Sequence, residues 1–214
     1  MSLKLSRLNA MRVILAVRSR KKGEAARASI EAASNRKNVV EVWQVDMSDY
    51  HSIQDFVAKC DSLDRLDVIV ANAGVLRNTY EELEGTEITI KVNIIGTFLL
   101  VVDILPMLRR SREKTGQMAR LVITSSIMHE DGVAGTILTV AKALMARTTE
   151  VGGRTLVHST AAGEESHGQY MSGCRVKEPR AFVRSKEGVE VQERVHKELK
   201  GILETIEPGI TNKI

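Results

Sequence analysis

An apolar run that ends in a tight polar turn places the strongest constraint on how this chain can fold. Leu66–Val70 is rich in β-branched residues, and Ala71-Asn72-Ala73-Gly74 follows it directly. A short run of this kind, bounded by Asn and Gly, predicts a buried strand that ends at a turn. In open α/β sheets, ligands bind just beyond the carboxyl ends of the strands. Because Gly74 permits close approach of a backbone and Asn72 offers both a donor and an acceptor, the segment predicts a nucleotide site.

Strand and helix patterns alternate along the rest of the chain. This alternation predicts βαβ units, a parallel sheet with helices on both faces, and a single domain over residues 1–214. We expect the further strands to be Arg12–Val17, Val39–Val45, Leu121–Thr124 and Thr155–His158. We expect helices over Lys22–Ala33, about Glu87–Leu108, 137–147 and Val189–Ile206, and a loop over 161–180. Ser48 and Asp49 are candidate N-caps for one more helix, which carries Ile53, Phe56 and Cys60 on one face.

Composition excludes several classes of function. The chain has 214 residues, of which 43% are hydrophobic and 27% charged, as in an ordinary globular protein. Its net charge is +4, but only 3% of its residues are aromatic and no basic stripe is present, so we expect no nucleic-acid partner. The most apolar stretch, Ile94–Leu108, is interrupted by glycine, aspartate and proline, so we expect no membrane span and a cytoplasmic protein. Cys60 and Cys174 lack metal-ligand spacing, which predicts free thiols and no metal site.

Five short segments, most of them at predicted strand ends, share one resemblance. They are Arg12–Ser19, Val45-Asp46, Asn72-Ala73-Gly74, Val92–Gly96 and Ile123–Ser126. Together they resemble the short-chain dehydrogenase/reductase family, and especially its fungal branch similar to retinol dehydrogenases, which often serves secondary metabolism. The resemblance implies a Rossmann-like α/β fold. It also implies an NADP-dependent oxidoreductase that interconverts a small-molecule carbonyl and an alcohol.

The resemblance implies cofactor-binding roles for Arg18, Asp46, Lys91 and the Asn72-Ala73-Gly74 turn. Arg18 would pair with the adenosine 2′-phosphate, and because arginine forms bidentate contacts with phosphate, this favours NADP over NAD. Asp46 would contact the adenine ring, Asn72 would line the ribose region, and Lys91 would lie beside the site. Simpler interpretations stay open. Arg18 could be a solvated surface charge, Asp46 a cap of the following helix, Asn72 a turn residue and Lys91 a solvent-exposed side chain.

Two further residues match catalytic positions of the family. Asn93 matches an asparagine that supports a catalytic water chain. Ser126 matches a serine that hydrogen-bonds the substrate carbonyl oxygen and polarises it. The alternatives are that Asn93 satisfies backbone groups at an irregularity of the predicted helix and that Ser126 is a turn or cap residue.

Two elements of the family are missing from the sequence. The glycine-rich turn that binds pyrophosphate would lie, with the first strand, before Met1, because Ser2–Ala10 resembles the end of the helix that follows that turn. The second is the Tyr-x-x-x-Lys pair, in which lysine lowers the pKa of the proton-transferring tyrosine. The residues four places after the three tyrosines, Tyr50, Tyr80 and Tyr170, are Gln54, Glu84 and Cys174.

These absences predict an incomplete sheet. In the family the first strand lies between the second and the fourth, so its loss would open the centre of the sheet and leave unpaired edges. The chain passes from the Ser126 region almost directly to Ile137, so the sixth strand is also expected to be missing. The alternative function is therefore a catalytically inactive remnant that acts through association with an intact homologue, as part of a homo- or hetero-oligomer.

Overall fold

A computed structural model describes residues 1–125 and 149–214. The strands are β1 (Val13–Val17), β2 (Val40–Gln44), β3 (Val68–Ala71), β4 (Glu82–Leu83), β5 (Thr86–Glu87) and β6 (Arg120–Ile123). The α-helices are α1 (Ser2–Arg7), α2 (Arg20–Ser34), α3 (Tyr50–Asp61), α4 (Ile88–Ile90), α5 (Thr97–Thr115), α6 (Thr149–Ser159), α7 (Ala181–Arg184) and α8 (Lys186–Ile206). A π-helical segment, Lys91–Gly96, joins α4 to α5, and short 3-10 helices form at Glu164–Ser166 and Ile210–Lys213.

The parallel strands form two separate ladders. One ladder pairs β1 with β2, with Val13 opposite Val40, and the other pairs β3 with β6, with Val68 opposite Arg120. Within residues 1–125 and 149–214, no backbone hydrogen bond joins one ladder to the other. The predicted α/β fold with parallel strands is confirmed. Its sheet is interrupted between β1 and β3, which are the two strands that would flank the expected missing one.

Helices cover both faces of the β1–β2 ladder. Because side chains alternate along a strand, Val42 and Trp43 point to opposite faces. Val42 lies under α2, where a Cβ atom on Gly23 would be 2.5 Å from its side chain. Trp43 packs on the other face against Phe56 of α3, edge to face with ring centroids 6.1 Å apart. The prediction of helices on both faces is confirmed here.

Helix α3 forms as its sequence predicts. The carboxylate of Asp49 caps it by accepting hydrogen bonds from the backbone N–H groups of His51 and Ser52. On the inner face of the helix, Ile53, Phe56 and Cys60 are buried. Ser48, the other candidate cap, instead donates its hydroxyl proton to Asp46.

The central helical run, from Ile88 to Thr115, begins where predicted and continues two turns further. It ends at Gly116, whose φ of +67° suits a left-handed C-cap. In the described part of the chain this is the one run long and apolar enough to cross a membrane, with a mean hydropathy of 2.0 in its most apolar window. Of that window, 67% is buried inside the protein. This degree of burial favours the core helix of a globular protein.

The C-terminal third includes one wrong prediction. Thr155–His158 was expected to be a strand but lies inside α6, while the helix expected over 137–147 lies outside the described residues. A four-residue apolar run fits a strand or a helix equally well, and periodicity cannot distinguish them over such a length. Residues 161–180 form a loop with one 3-10 turn, and the terminal helix is confirmed as α8.

An ion pair between a half-buried lysine and a buried aspartate attaches the C-terminus to the core. The ammonium of Lys213 lies 2.9 Å from the carboxylate of Asp103 in α5, whose side chain is only 2% exposed, and it also bonds Glu207. Burial raises the pKa of Asp103, although the bond to Lys213 opposes that shift. Nearby, Ile210 is fully buried, so charge pairing and apolar burial hold the same segment in place.

Two glycines provide a matched test of this packing. A Cβ atom on Gly96 would overlap the backbone carbonyl oxygen of Met47, whereas one on Gly201 in α8 would meet nothing within 4 Å. We expect Gly96→Ala to lower the free energy of unfolding by about 1–3 kcal/mol. Gly201→Ala should raise it by roughly 0.5–1 kcal/mol, because alanine favours a helix. Urea denaturation measures both changes, and an unaltered Gly96→Ala protein would contradict this packing.

The C-terminal ion pair can be tested by removing one or both charges. We expect Lys213→Met to destabilise the protein by about 3 kcal/mol, because it leaves the buried Asp103 carboxylate unpaired. The double variant Asp103→Asn, Lys213→Met should recover part of that loss, since the buried carboxylate is gone while Glu207 still lacks its ammonium partner. Thermal unfolding of the three proteins compares them, and equal stability of the single and double variants would argue against the pair.

Candidate functional site

The Asn72-Ala73-Gly74 turn is exposed at the carboxyl end of β3. Thr124, just after β6, holds it from the neighbouring strand. Its backbone N–H donates to the carbonyl of Ala71 at 2.9 Å, and its hydroxyl donates to Oδ1 of Asn72 at 3.1 Å. The structure therefore brings the ends of two strands together at one exposed edge, and the binding of a nucleotide there stays a prediction.

Asn93 holds the other side of this turn. Its side-chain amide donates to the carbonyl of Val75 and accepts from the N–H of the same residue, both at 2.8 Å. A Cβ atom on Gly74 would lie 3.2 Å from Oδ1 of Asn93, so the turn passes close to this side chain. Asn93 lies within the π-helical segment Lys91–Gly96. Asn93 thus satisfies backbone groups at a helix irregularity, as one of the two alternatives predicts, and its support of a catalytic water chain stays a prediction.

Arg18 and Asp46 lie at the carboxyl end of the other ladder. The Asp46 carboxylate accepts from the backbone N–H of Ser48 at 2.9 Å and from its hydroxyl at 2.6 Å. Asp46 does not cap α3, which is the role of Asp49, so the helix-cap interpretation of Asp46 is wrong. Arg18 is exposed and forms no ion pair with any residue that the structure describes.

Lys91 is buried, which excludes its interpretation as a solvent-exposed side chain. Its side chain is 1% exposed, and its ammonium pairs with the carboxylate of Glu84 at the tip of the β4–β5 hairpin. The same ammonium lies 4.6 Å from the centroid of the Tyr50 ring. A cation over the face of an aromatic ring is attracted by its quadrupole. Lys91 therefore contacts both the hairpin and the first residue of α3.

Tyr50 and Lys91 do not reproduce the tyrosine–lysine pair of the family. The ammonium faces the ring of Tyr50, and burial and the nearby Glu84 raise the pKa of that phenol. The phenol of Tyr80 donates to Glu82, which raises the pKa of Tyr80 as well. These shifts oppose the lowered pKa that lysine gives the catalytic tyrosine. Neither side chain is arranged as the proton donor expected in the family.

Sequence reasoning missed Glu84, Tyr50 and Thr124. A sequence signal for Glu84 was present in Gly85, because glycine is typical of tight turns, and in the structure both residues have positive φ, +52° and +76°. Two such residues in succession are typical of a tight hairpin turn. Ser126, together with its proposed catalytic role, lies outside the described residues.

The two described cavities lie away from the turn. One, of about 310 Å³, lies between α3 and α5 beside Cys60 and Ser111. The other, of about 360 Å³, lies beside β2 and is lined by Arg20, Gln44 and Lys59 among others. Burial raises the pKa of the Cys60 thiol to about 11, so this cysteine is unreactive near neutral pH. Among residues 1–125 and 149–214, no group of three or more His, Cys, Asp or Glu side chains could hold a metal ion.

Known proteins match the chain in both sequence and fold. A family model described as short chain dehydrogenase matches residues 3–155. Short chain dehydrogenase/reductase dmxR8 of Cryptosporiopsis sp. (strain 8999) is 33% identical over 280 aligned positions, covering 96% of this chain and 86% of that protein. The crystal structure of a metagenomic short-chain oxidoreductase in complex with NADP is 25% identical, with a TM-score of 0.51, covering 78% of this chain and 70% of the other.

A further match in fold is the NADH-dependent reductase A1-R′ complexed with NAD. It is 19% identical, with a TM-score of 0.50 over 67% of this chain, and the chain spans 61% of its length. The alignment with dmxR8 is longer than the 214 residues of this chain. It therefore contains positions of the relative that have no counterpart here.

The clamp between Asn93 and Val75 can be tested directly. We expect Asn93→Ala to lower the free energy of unfolding by about 1–3 kcal/mol, since it leaves two backbone groups of Val75 unpaired. The segment that begins at Val75 should also be released, so trypsin should cleave faster after Arg77. Asn72→Ala is the control, because it removes one exposed hydrogen bond and should change both measurements little. Unchanged cleavage in Asn93→Ala would contradict the clamp.

Proposed function

The chain belongs to the short-chain dehydrogenase/reductase family, and from that premise we propose that it binds NADP(H) at the carboxyl edge of its two ladders and interconverts a carbonyl and an alcohol. The observation that carries the proposal is the exposed Asn72-Ala73-Gly74 turn, which Thr124 and Asn93 hold from two sides. The turn stands where ligands bind in open α/β sheets. The family match over residues 3–155 supports the same conclusion.

A preference for NADP over NAD is proposed from the charge at the end of β1. Arg18 is exposed there. The first turn of α2 contains no acidic residue and includes Arg20, Lys21 and Lys22. The amino end of a helix adds partial positive charge to this region. A phosphate on the adenosine ribose would therefore meet a favourable potential. Asp46, at the end of β2, is proposed to contact the adenine.

The chemistry is assigned through the family. When bound, the nicotinamide supplies or accepts the hydride. Ser126 is proposed to hold and polarise the substrate carbonyl oxygen. Asn93 uses both ends of its side-chain amide on Val75, so we propose that it supports catalysis by fixing the turn beside the cofactor.

A second candidate function is a catalytically inactive family member that associates with an intact homologue. The observation that favours it is the lack of a Tyr-x-x-x-Lys pair, since no tyrosine of this chain has lysine four residues later. The split between the ladders is consistent with it, because free strand edges can accept another strand. Copurification with an intact short-chain dehydrogenase would support this function, and NADPH-dependent turnover of a ketone by the isolated chain would exclude it.

The cellular setting is likewise a proposal. We place the protein in the cytoplasm, and the support is that Cys60 and Cys174 are both free thiols. We propose that its substrate is a small carbonyl compound or alcohol of fungal secondary metabolism. The support is the resemblance to the fungal branch and the match to a relative from Cryptosporiopsis.

Cofactor choice can be tested at Arg18. We expect Arg18→Gln to weaken NADPH binding about ten- to hundredfold, because a charge-assisted bond to phosphate contributes roughly 1.5–3 kcal/mol. NADH binding should be unchanged, since NADH has no 2′-phosphate. Calorimetry or the fluorescence of Trp43, three residues before Asp46, measures both affinities.

The control for this experiment is Lys200→Gln, which removes a positive charge from an exposed position of α8. It should leave both affinities unchanged. If Arg18→Gln weakened NADPH and NADH equally, Arg18 would not contact the 2′-phosphate. If the unaltered protein bound no NADPH at millimolar concentration, the proposed function itself would fail.

A further inference from the structure

Contacts other than backbone hydrogen bonds must fix the separation of the two ladders, because no described backbone hydrogen bond joins them. The proposed cofactor would touch Asp46 on one ladder and Asn72 on the other, so their separation matters. The π-helical segment Lys91–Gly96 bridges this gap. At its end, Gly96 packs so closely on the loop after β2 that a Cβ atom there would overlap the carbonyl oxygen of Met47.

Lys91 makes the second connection, at the start of the same segment. Among the residues that the structure describes it is the largest fully buried side chain, and its ammonium contacts the Glu84 carboxylate and the Tyr50 ring. Tyr50 begins α3, directly after the loop that follows β2, whereas Glu84 belongs to the hairpin that follows β3. One ammonium group thus touches the segments that leave both ladders.

The backbone conformation of Glu84 is energetically unfavourable. Its φ of +52° is unusual for a residue with a side chain and costs roughly 1 kcal/mol or more. Its side chain is 74% exposed, yet its carboxylate is the hydrogen-bond partner of Lys91, whose side chain is 1% exposed. A buried ammonium without a counter-charge is strongly unfavourable. The hairpin position and the burial of Lys91 therefore depend on each other.

Two further contacts attach the same chain segment to the helical run. Asn93 bonds Val75 where the segment begins, and the carboxylate of Glu87 accepts from the N–H of Ile90 where it ends. The contact between Glu84 and Lys91 lies between these two. The segment from Val75 to Glu87 is therefore held at three points, at its start, at Glu84 and at its end. Only the Lys91 contact also reaches α3, through Tyr50.

We propose that Glu84, Lys91 and Tyr50 form a pin that fixes the loop after β2 relative to the loop after β3, and that Glu84 and Lys91 are positioning residues for a ligand that spans both ladders. The inference rests on the proposed function for the identity of that ligand. Under it, Lys91 acts on the cofactor through the position of the two loops. The pin itself is a property of the protein and can be tested without a ligand.

The first test compares a ligand that spans the ladders with one that does not. NADPH would touch both, whereas 2′,5′-ADP would touch the Arg18 and Asp46 side alone. We expect Glu84→Gln to weaken NADPH binding about tenfold, because the two halves of the site would no longer be held at one separation before the ligand binds. The affinity for 2′,5′-ADP should be unchanged. Equal loss for both ligands, or loss for neither, would overturn the proposal.

The matched control is Glu82→Gln, two residues away on the same hairpin. Its carboxylate bonds the exposed phenol of Tyr80 and does not reach Lys91. We expect it to bind both ligands as the unaltered protein does. If Glu82→Gln reproduced the Glu84→Gln result, a general effect of hairpin charge would explain both, and the pin would be rejected.

A double variant separates positioning from stability. Glu84→Gln with Lys91→Met removes both charges, so it should recover the stability that Glu84→Gln loses. Because the connection is still absent, it should keep the weak NADPH binding and the normal 2′,5′-ADP binding. Recovery of NADPH binding together with stability would mean that the pair is merely structural.

A measurement without any ligand tests whether the pin exists, even if the proposed function fails. Trp43 lies in β2, so its fluorescence follows one ladder during urea unfolding, while far-ultraviolet circular dichroism follows the whole chain. We expect both probes to report one transition in the unaltered protein, as for a cooperative domain. In Glu84→Gln we expect this transition at a lower urea concentration, because the buried Lys91 side chain loses its counter-charge, whereas Glu82→Gln should unfold as the unaltered protein does. An unshifted transition in Glu84→Gln would overturn the pin. Failure of the unaltered protein to bind either ligand would overturn only the cofactor proposal.

Discussion

The packing of one long helical run across two unconnected ladders is the constraint on which the rest of this structure depends. In a continuous parallel sheet, backbone hydrogen bonds fix each strand relative to the next. Here the β1–β2 and β3–β6 ladders share no backbone hydrogen bond among the described residues, so the burial of side chains must fix one ladder relative to the other. Leu99 and Ile104 of α5 are fully buried in the core that also contains Trp43 of β2 and Leu203 of α8. The core thus crosses the break in the sheet.

The same break divides the candidate site. Arg18 and Asp46 follow strands of one ladder, and the Asn72-Ala73-Gly74 turn follows a strand of the other. Each half has its own local support, from Ser48 under Asp46 and from Asn93 and Thr124 around the turn. Their separation is set by the contacts of the Lys91–Gly96 segment. A small change in those contacts would move the two halves apart without disturbing either one.

Cofactor binding and proton transfer depend on different parts of a short-chain dehydrogenase. This chain contains the residues proposed for the first but lacks the tyrosine–lysine pair that performs the second. The groups proposed to bind NADP(H) follow strands that are present, whereas no tyrosine stands four residues before a lysine. Tyr50 and Tyr80 have raised pKa values, opposite to the shift that an activated acid needs. In this chain, cofactor binding can therefore be tested separately from proton transfer to the substrate.

The sequence by itself determined the elements that depend on local pattern. β-Branched runs followed by turn residues predicted β1, β2, β3 and β6, and the apolar face of α3 with its Asp49 cap followed from spacing alone. The break between β1 and β3 was expected from the missing strand. Thr155–His158 was predicted wrongly because a run of four residues does not distinguish the two periods, and its neighbours continue the helix.

Only the tertiary structure decided which groups meet. Lys91 and Glu84 are seven residues apart, and Tyr50 is more distant still, yet they form one contact because a hairpin folds back on a helix that packs against α3. Asn93 is likewise joined to Val75 across the same fold. Local pattern reports which face of a helix is apolar. Whether a lysine on that helix meets solvent or a carboxylate depends on the segment that covers it, and that is settled by long-range packing.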